Sequence, residues 1–350
     1  MQEVIQQFSE TIGKAAAEHT HVRIRGSGAK DFYGLALIGD VLDTRPCSGI
    51  LEYEPTELVL TASAGTPLRE VEAAIAKNGQ MLPFEPPHFG TAATLGGSVA
   101  CGFSGPRRAT AGSARDFVLG VRMLNGLGED LHFGGKVMKN VAGYDLSRLM
   151  TGSFGTLGLI TEVSLKVLPV PGQELTLRLE MDEAAALDSM NLWAGKPLPL
   201  SASCHVNGAL YLRLSGAGSA VQAAHKKIGG EPVADAATFW QSIREQTHPF
   251  FAEAAALWRL SIKPTTAPLG LGPQLIEWNG GLRWFSANIS PSLAFETAQR
   301  AGGYATLFRG GDKRLGIQRL PANLLAIHKK LKRVFDPEGI LCPGRIHADF

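Results

Sequence analysis

Three glycine-rich segments constrain this chain more than any other feature of its sequence. They cover residues 25–30, directly after a predicted strand, then residues 94–112, and then residues 152–158. A nucleotide pyrophosphate needs several backbone N–H groups that converge on it, and glycine permits both the close approach and the required backbone angles. A single segment of this kind is more often an ordinary turn. Three of them together predict a site for a phosphate-bearing cofactor.

Two common nucleotide-binding patterns do not fit these segments. The Rossmann pattern needs G-x-G-x-x-G between a strand and a helix, with an acidic residue about 20 positions later. Segment 25–30 lacks the third glycine, and the P-loop sequence G-x-x-x-x-G-K-S/T does not occur in the chain. Rossmann-type NAD binding and P-loop chemistry therefore both lose support.

Composition limits the classes of protein and partner. At 350 residues the chain exceeds the size at which one hydrophobic core usually stops growing, which favours two domains. The 34 basic and 32 acidic residues are spread along the chain, so no patch for nucleic acid is expected. The four cysteines lie far apart without a CxxC pair, a pattern typical of reduced thiols and not of a disulfide framework, a zinc site or an iron–sulfur site.

The sequence also bears on location. The N-terminus begins as a polar helix and lacks the pattern of a secretory signal. No stretch approaches the roughly 18 apolar residues that a membrane-spanning helix needs. We therefore expect a cytoplasmic protein, with any peripheral association with the inner membrane made through partner subunits.

The second half of the chain contains an internal repeat. Residues 206–210 (VNGAL) match residues 278–282 (WNGGL), and both are followed by a serine, a helical stretch and a double glycine. Each copy is preceded by a strand with period-two character. The resulting order of strand, helix or loop, strand, strand and helix is that of a ferredoxin-like split βαβ element, and two such elements can share one antiparallel sheet. The alternative is a chance match between two common Asn-Gly hairpins.

Longer motifs around the glycines resemble the successive motifs of the vanillyl-alcohol-oxidase type of FAD domain, also called the PCMH-type FAD-binding family. Their order matches over nearly the whole chain. The residues that carry the resemblance are Gly96-Gly97-Ser98, Arg107-Arg108 with Gly112, residues 115–120 (RDFVLG), residues 139–146 (KNVAGYDL), residues 152–158 with Ile160-Thr161-Glu162, and the tail from Phe335-Asp336-Pro337 to Pro343-Gly344-Arg345.

This resemblance implies an α+β fold in three parts. They are a PCMH-type FAD-binding domain over residues 1–172, a ferredoxin-like α+β cap domain over 173–320, and a C-terminal helix and tail over 321–350 that returns to the first domain. It also implies FAD as the cofactor. Segment 26–30 would bind the pyrophosphate, and the second glycine-rich segment would lie along the pyrophosphate and the flavin. The third segment would bind the adenosine end or the diphosphate. The expected cofactor-binding residues are Arg25, Gly26, Ser27, Gly28, Ala29, Lys30, Thr94, Gly96, Gly97, Ser98, Gly102, Arg108, Gly112, Gly155, Thr156 and Ile160.

More narrowly, the chain is similar to the FAD-binding E-type subunits of bacterial glycolate oxidases. Such subunits work with a larger flavoprotein D subunit and an iron–sulfur F subunit. The resemblance implies a subunit of an FAD-dependent oxidoreductase that oxidises a small 2-hydroxy acid and passes electrons to an iron–sulfur partner. Two alternatives stay open: a self-sufficient FAD oxidase or dehydrogenase of another small alcohol or hydroxy acid, and a non-catalytic scaffold that has lost the flavin.

No catalytic residue can be assigned from the sequence. Relatives that oxidise lactate or glycolate usually carry a Glu-His-Gly-x-Gly sequence within a histidine-rich metal and base constellation, and no Glu-His-Gly occurs here. The histidines of the second half, His205, His225 and His248, have spacings that match no pair of metal ligands. We expect no metal site.

Three further residues have two interpretations each. Cys342 replaces an asparagine that is common in the tail motif, and either faces the flavin or is a buried structural thiol. Arg345 either binds a substrate carboxylate or anchors the tail through a salt bridge. His88 resembles the histidines that tether flavin in some relatives but lies outside the usual attachment loops, which favours a plain loop histidine.

Overall fold

The computed structural model describes residues 1–35, 37–135, 145–252 and 255–349, which fall into two compact units. The first unit comprises residues 1–103, 113–169 and 319–350, and the second comprises residues 104–112 and 170–318. Motif residues 139–144 lie outside the described residues. Among the helices that are described, none is long and apolar enough to cross a membrane.

Helices and strands are interspersed along the described residues. The α-helices are α1 (Gln2–Glu18), α2 (Leu68–Ala76), α3 (Leu95–Cys101), α4 (Arg108–Ala111), α5 (Ala114–Phe117), α6 (Leu146–Leu149), α7 (Glu183–Ala194), α8 (Gly218–Ile228), α9 (Ala236–Arg244), α10 (Pro249–Ala252), α11 (Pro291–Arg300) and α12 (Ala322–Phe335). The strands are β1 (Val22–Arg25), β2 (Asp40–Asp43), β3 (Ile50–Glu54), β4 (Val59–Ser63), β5 (Gln80–Met81), β6 (Val118–Leu124), β7 (Asp130–Gly134), β8 (Leu159–Lys166), β9 (Leu168–Pro169), β10 (Gln173–Glu180), β11 (Leu200–Val206), β12 (Ala209–Gly216), β13 (Glu231–Pro232), β14 (Ala256–Ser261), β15 (Gln274–Glu277), β16 (Leu282–Ser286) and β17 (Tyr304–Gly310). Short 3₁₀ helices cover Trp278–Gly280 and Lys313–Leu315.

The first unit is built on an antiparallel sheet of five strands in the order β3-β4-β8-β6-β7. The turn that contains Asn125 and Gly126 joins β6 to β7, as an Asn-Gly dipeptide between two strands predicts. A separate parallel pair, β1 and β2, lies beside the glycine-rich segment 25–30. The apolar face of α1 packs into a buried hydrophobic cluster of this unit. The same cluster includes Ile340 and Leu341 of the C-terminal tail. The burial of the tail explains why an apolar segment can follow the last helix.

The second unit is built on one eight-stranded sheet in the order β13-β10-β12-β11-β15-β16-β14-β17, with antiparallel pairing throughout. The order is symmetric about the β11–β15 pair: β10, β12 and β11 on one side correspond to β14, β16 and β15 on the other. This arrangement confirms the internal repeat and the ferredoxin-like α+β organisation. The copies differ in one connection, since α7 lies between β10 and β11 whereas no helix lies between β14 and β15.

Two elements of the first unit differ from what their local sequence predicts. Thr66 before Pro67 is a residue type that caps helices, but α2 begins at Leu68 after Pro67, and the Thr66 hydroxyl donates to the Ser63 carbonyl at 2.7 Å instead. Strand β8 alternates Val163 and Leu165 with polar residues, a pattern that predicts a half-buried strand, yet Ser164 on its polar face is buried as well. The cause is its central position between β4 and β6.

Candidate functional site

A cleft lies within the first unit, and a concave cleft with a few convergent polar groups is typical of a small-molecule site. The loop after β1, the start of α3, the loop before β8 and the C-terminal tail form its walls. The predicted cofactor-binding residues that line it are Arg25, Gly26, Ser27, Gly28, Ala29, Lys30, Thr94, Gly96, Gly97, Gly155 and Ile160. The fold therefore brings the three glycine-rich segments to one place, although they are far apart in sequence.

The other predicted residues lie elsewhere. Ser98 and Gly102 belong to α3 and its C-terminal end, and Thr156 follows Gly155 without lining the cleft. Arg108 and Gly112 fall in the second unit. The Arg108 guanidinium lies 4.4 Å from the centre of the Trp278 ring, a cation–π contact that the sequence did not predict.

The loop after β1 has the geometry of a phosphate cradle. A Cβ on Gly26 would lie 2.4 Å from Thr94 Oγ1, so only glycine allows this approach. Gly28 has a φ of +79°, in the left-handed region. Within the described part of the chain, the N–H groups of Gly26, Ser27 and Gly28 donate to no protein acceptor. They are therefore available to an anionic ligand.

Positive charge predominates around the cleft. Its lining includes four cationic side chains and one carboxylate. That carboxylate, Asp31, accepts hydrogen bonds from Arg23 and from Arg25, the latter at 2.9 Å. Lys30 is buried, and its ammonium donates to the His88 carbonyl at 3.3 Å. The excess of cations favours binding of a ligand that carries phosphate groups.

Helix α3 forms a second wall of the cleft. The Thr94 hydroxyl accepts from the Gly97 N–H at 3.2 Å and so caps the helix. Gly96 packs on the end of β4, where a Cβ would lie 2.5 Å from the Ala64 Cβ. On Gly97 a Cβ would meet only Thr94 Oγ1, at 3.0 Å. The two adjacent glycines therefore have different roles, since Gly96 contacts the protein and Gly97 leaves room in the cleft.

The C-terminal tail completes the cleft. Cys342 and Arg345 both line it, and the Cys342 thiol accepts from the Ile24 N–H at 3.4 Å. A Cβ on Gly155 would lie 3.2 Å from this sulfur. Burial raises the pKa of the Cys342 thiol, which keeps it protonated near neutral pH. Cys342 is thus a buried thiol that also forms part of the cleft wall.

A buried lysine holds the tail against the third glycine-rich segment. The Lys332 ammonium donates to the Thr156 carbonyl at 2.8 Å, to the Leu341 carbonyl at 2.7 Å and to the Asp336 carboxylate at 2.6 Å. Asp336 in turn accepts from the N–H groups of Ile340 and Leu341. We call Lys332 and Asp336 the tail clamp, because they fix the position from which Cys342 reaches the cleft.

The structure gives the contacts of Arg345 and His88, for each of which the sequence allowed two interpretations. The Arg345 guanidinium donates to the Lys30 carbonyl at 3.2 Å, while its Nη1 is buried and has no partner among the described residues. Arg345 thus contributes to the anchoring of the tail through a carbonyl and not through a salt bridge. His88 Nε2 lies 3.0 Å from the Glu72 carboxylate and does not line the cleft.

Each of the three histidines of the second unit lies within hydrogen-bond distance of a nearby backbone group. His205 is buried with Nε2 3.0 Å from the Met181 carbonyl, and His225 Nε2 lies 3.4 Å from the Gly230 carbonyl. His248 Nδ1 accepts from the Phe250 N–H at 3.2 Å, and burial lowers the pKa of His248. Over the described ranges, no three His, Cys, Asp or Glu side chains are placed to hold a metal ion.

Sequence reasoning missed several cleft residues. Arg23 and Asp31 flank the first glycine segment, and their charge was the signal that could have found them. Cys101 also lines the cleft, and burial raises the pKa of its thiol to about 11. Phe154 lines it next to Tyr33, whose ring stacks at 5.3 Å between centroids. No local pattern in the sequence indicates that these two rings meet.

Comparison with known proteins identifies the family. An FAD binding domain family model matches residues 3–134. Glycolate oxidase subunit GlcE of Escherichia coli (strain K12) is 48% identical over 346 residues, which is 98% of this chain and 97% of that protein.

The chain belongs to the GlcE family of glycolate oxidase subunits. Glycolate oxidase subunit GlcD of Bacillus subtilis (strain 168) is 34% identical over 163 residues, or 46% of this chain, and the chain spans only 34% of that protein. Alkyldihydroxyacetonephosphate synthase has a similar fold, with a TM-score of 0.65 at 15% identity over 96% of this chain and 73% of that one. As a GlcE family member, the chain is a subunit of an FAD-dependent oxidoreductase, and FAD is its cofactor.

The described residues fit FAD. The free N–H groups of Gly26, Ser27 and Gly28 suit the oxygens of a pyrophosphate, and the surrounding cations balance its charge. Gly97 leaves space where a side chain would fill the cleft. The unpartnered Arg345 Nη1 offers one more donor in the same wall. Which of these residues contacts which part of FAD stays a prediction.

Proposed function

We propose that the chain is the FAD-binding subunit of a glycolate oxidase-type complex that oxidises a small 2-hydroxy acid and passes electrons to an iron–sulfur partner. The proposal includes a flavoprotein D-type subunit, an iron–sulfur F-type subunit, a cap role for the second unit, and a cytoplasmic location with peripheral membrane association through those partners. One observation carries it: 48% identity to a glycolate oxidase subunit over 98% of the chain, combined with a cradle that fits FAD.

The chemistry of the cleft supports a subunit that depends on partners. When bound, FAD accepts a hydride from an α-carbon and can release the electrons singly to an iron–sulfur centre. Residues of this chain bind and orient it: the N–H groups of Gly26–Gly28 and the cations hold the pyrophosphate, and the tail with Cys342 closes one wall. Oxidation of a 2-hydroxy acid also needs a base for the hydroxyl proton.

None of the carboxylates and thiols that line the described part of the cleft is suited to be that base. Asp31 is the carboxylate there, and two arginines hold it. The thiols of Cys101 and Cys342 have raised pKa values, so both are protonated near neutral pH. We therefore propose that the base for substrate oxidation comes from outside this cleft, with the flavoprotein partner as its source.

Anaerobic absorbance spectra of the chain with and without its partners test the proposal. We expect bound flavin in the isolated chain, no bleaching by glycolate, and reduction of the flavins of this chain and of the D-type subunit once the D-type and F-type subunits are added. The matched control is the partner mixture without this chain, which sets the amount of flavin that the partners reduce alone.

Other outcomes would point elsewhere. Bleaching of the isolated chain by glycolate or D-lactate would favour the self-sufficient enzyme. A colourless but folded chain that still assembles would favour the scaffold and contradict the proposal.

A further inference from the structure

Helix α12 carries a row of apolar side chains on its outer surface. Leu324 is 42% exposed, Ile327 52% and Val334 73%, and Leu331 between them is half-buried. In the last turn of the helix Lys332 and Phe335 are buried instead. We call Leu324, Ile327, Leu331 and Val334 the outer row. Its exposure is unusual, because contiguous exposed apolar residues on a folded protein mark interaction sites.

The contacts of the described residues do not account for the outer row. The helix is held on its inner side by the tail clamp, with the Lys332 ammonium bonded to the Thr156 and Leu341 carbonyls, and the burial of Phe335 adds to this attachment. Exposed apolar side chains gain nothing from this attachment. No described residue covers them, so a partner would have to do so if they are to contribute to stability.

The spacing of the outer row indicates what covers it. Its members lie three, four and three residues apart, which is the a and d spacing of a coiled-coil seam. A helix that lies on a membrane has a broader apolar face opposite a charged one. A narrow a/d seam suits the side chains of one other helix.

The charges of α12 further limit the kind of helix that can cover the outer row. The sequence of α12 contains His328, Lys329, Lys330, Lys332 and Arg333 and no acidic residue. Lys332 is buried against Asp336, and Lys329 lies 3.5 Å from Asp349. Lys330 is exposed and adjoins the row at the position that in coiled coils pairs with a charge on the partner helix. Two copies of this helix would bring like charges together, so an acidic partner fits better than a second copy.

We propose that the outer row of α12 is the docking face for an amphipathic helix of the flavoprotein partner, a helix with an apolar seam and acidic residues beside it. This inference rests on the proposed function, since it assigns the surface through which the complex assembles. Leu324, Ile327, Leu331 and Val334 supply the seam, and Lys330 pairs with a carboxylate of the partner.

The test uses an Ile327→Asp/Val334→Asp double variant. Both side chains are exposed in the free chain, so the variant should fold and keep its flavin. We expect its affinity for the D-type subunit, measured by titration of the purified proteins, to fall at least thirtyfold, as for the loss of interface hot spots. Lys330→Glu should weaken binding more than Lys330→Gln, because it reverses the charge. The matched control is Leu51→Asp/Leu127→Asp, which changes two similarly exposed residues of the same unit.

The outcomes separate this inference from the proposed function. Failure of the wild-type chain to bind its partners would overturn both. Normal assembly of the wild type with unchanged affinity in the double variant would overturn the docking face alone. Loss of binding to anionic lipid vesicles, or loss of self-association in sedimentation, with the D-type affinity unchanged would assign the row to a membrane or to a second copy and equally overturn it.

Discussion

A Lys332→Met variant is expected to lose about 3–5 kcal/mol of unfolding free energy and to release its FAD. The substitution leaves the Asp336 carboxylate buried without its cation, and it also removes the donor to the Thr156 and Leu341 carbonyls. Those carbonyls belong to the loop and the tail that form two walls of the cleft. Urea unfolding followed by circular dichroism gives the free energy, and the absorbance of the filtrate after ultrafiltration gives the flavin released.

The neighbouring residue of the same helix supplies the control for this variant. Arg333 is exposed, so Arg333→Met should change the unfolding free energy by no more than about 0.5 kcal/mol. A Lys332→Met/Asp336→Asn double variant should lose less than the sum of the two single variants, because the pair is coupled. An unfolding free energy of Lys332→Met close to that of Arg333→Met would show that the tail clamp does not hold the tail.

The sequence predicted features whose causes are local. The hairpin between β6 and β7 follows from Asn125 and Gly126, because this dipeptide supports the turn without help from the rest of the chain. The glycines of segment 25–30 were recognisable for the same reason, since a φ of +79° at Gly28 restricts the residue type directly. The internal repeat was visible because both copies keep the same turn residues.

Helix α12 shows why other features could not be predicted. Apolar spacing normally marks the inner face of a helix, yet here Leu324 and Val334 are exposed and Lys332 is buried. The cause is the position of three acceptors, which come from the loop at residue 156, from the residue after the helix and from the tail. A lysine is buried only where such partners converge, and their convergence is a property of the whole fold.

Arg108 and Gly112 show the same limit at the site. Their contact with the cofactor stays a prediction, and what the local sequence did not reveal is that residues 104–112 fall with the second unit. The Trp278 indole donates to the Gly105 carbonyl at 3.1 Å, and the Thr110 hydroxyl donates to the Ser201 carbonyl at 2.9 Å. Both partners come from later in the chain, so the local sequence does not reveal the attachment.

Substitutions at the adjacent glycines of α3 are expected to affect protein stability and FAD binding differently. Gly97→Ala should keep or slightly raise the unfolding free energy, because alanine favours a helix by up to about 1 kcal/mol over glycine. The new methyl group meets only Thr94 Oγ1 at 3.0 Å in the protein and otherwise occupies cleft space. We expect the Kd for FAD to rise about ten- to a hundredfold, since overfilling a packed site costs about 1–3 kcal/mol.

Gly96→Ala should behave in the opposite way. Its Cβ would lie 2.5 Å from the Ala64 Cβ and 2.9 Å from the Ala64 carbonyl oxygen, so α3 has to move away from the end of β4 and the unfolding free energy falls. Gly13→Ala in α1 is the matched control, because its Cβ meets nothing closer than 3.9 Å and Gly13 does not line the cleft. Flavin fluorescence titration gives the Kd, and unfolding of the apo-protein gives the stability. If Gly97→Ala bound FAD with the Kd of Gly13→Ala, the cofactor would not approach α3, and the wall that Gly97 forms would have to be assigned to another role.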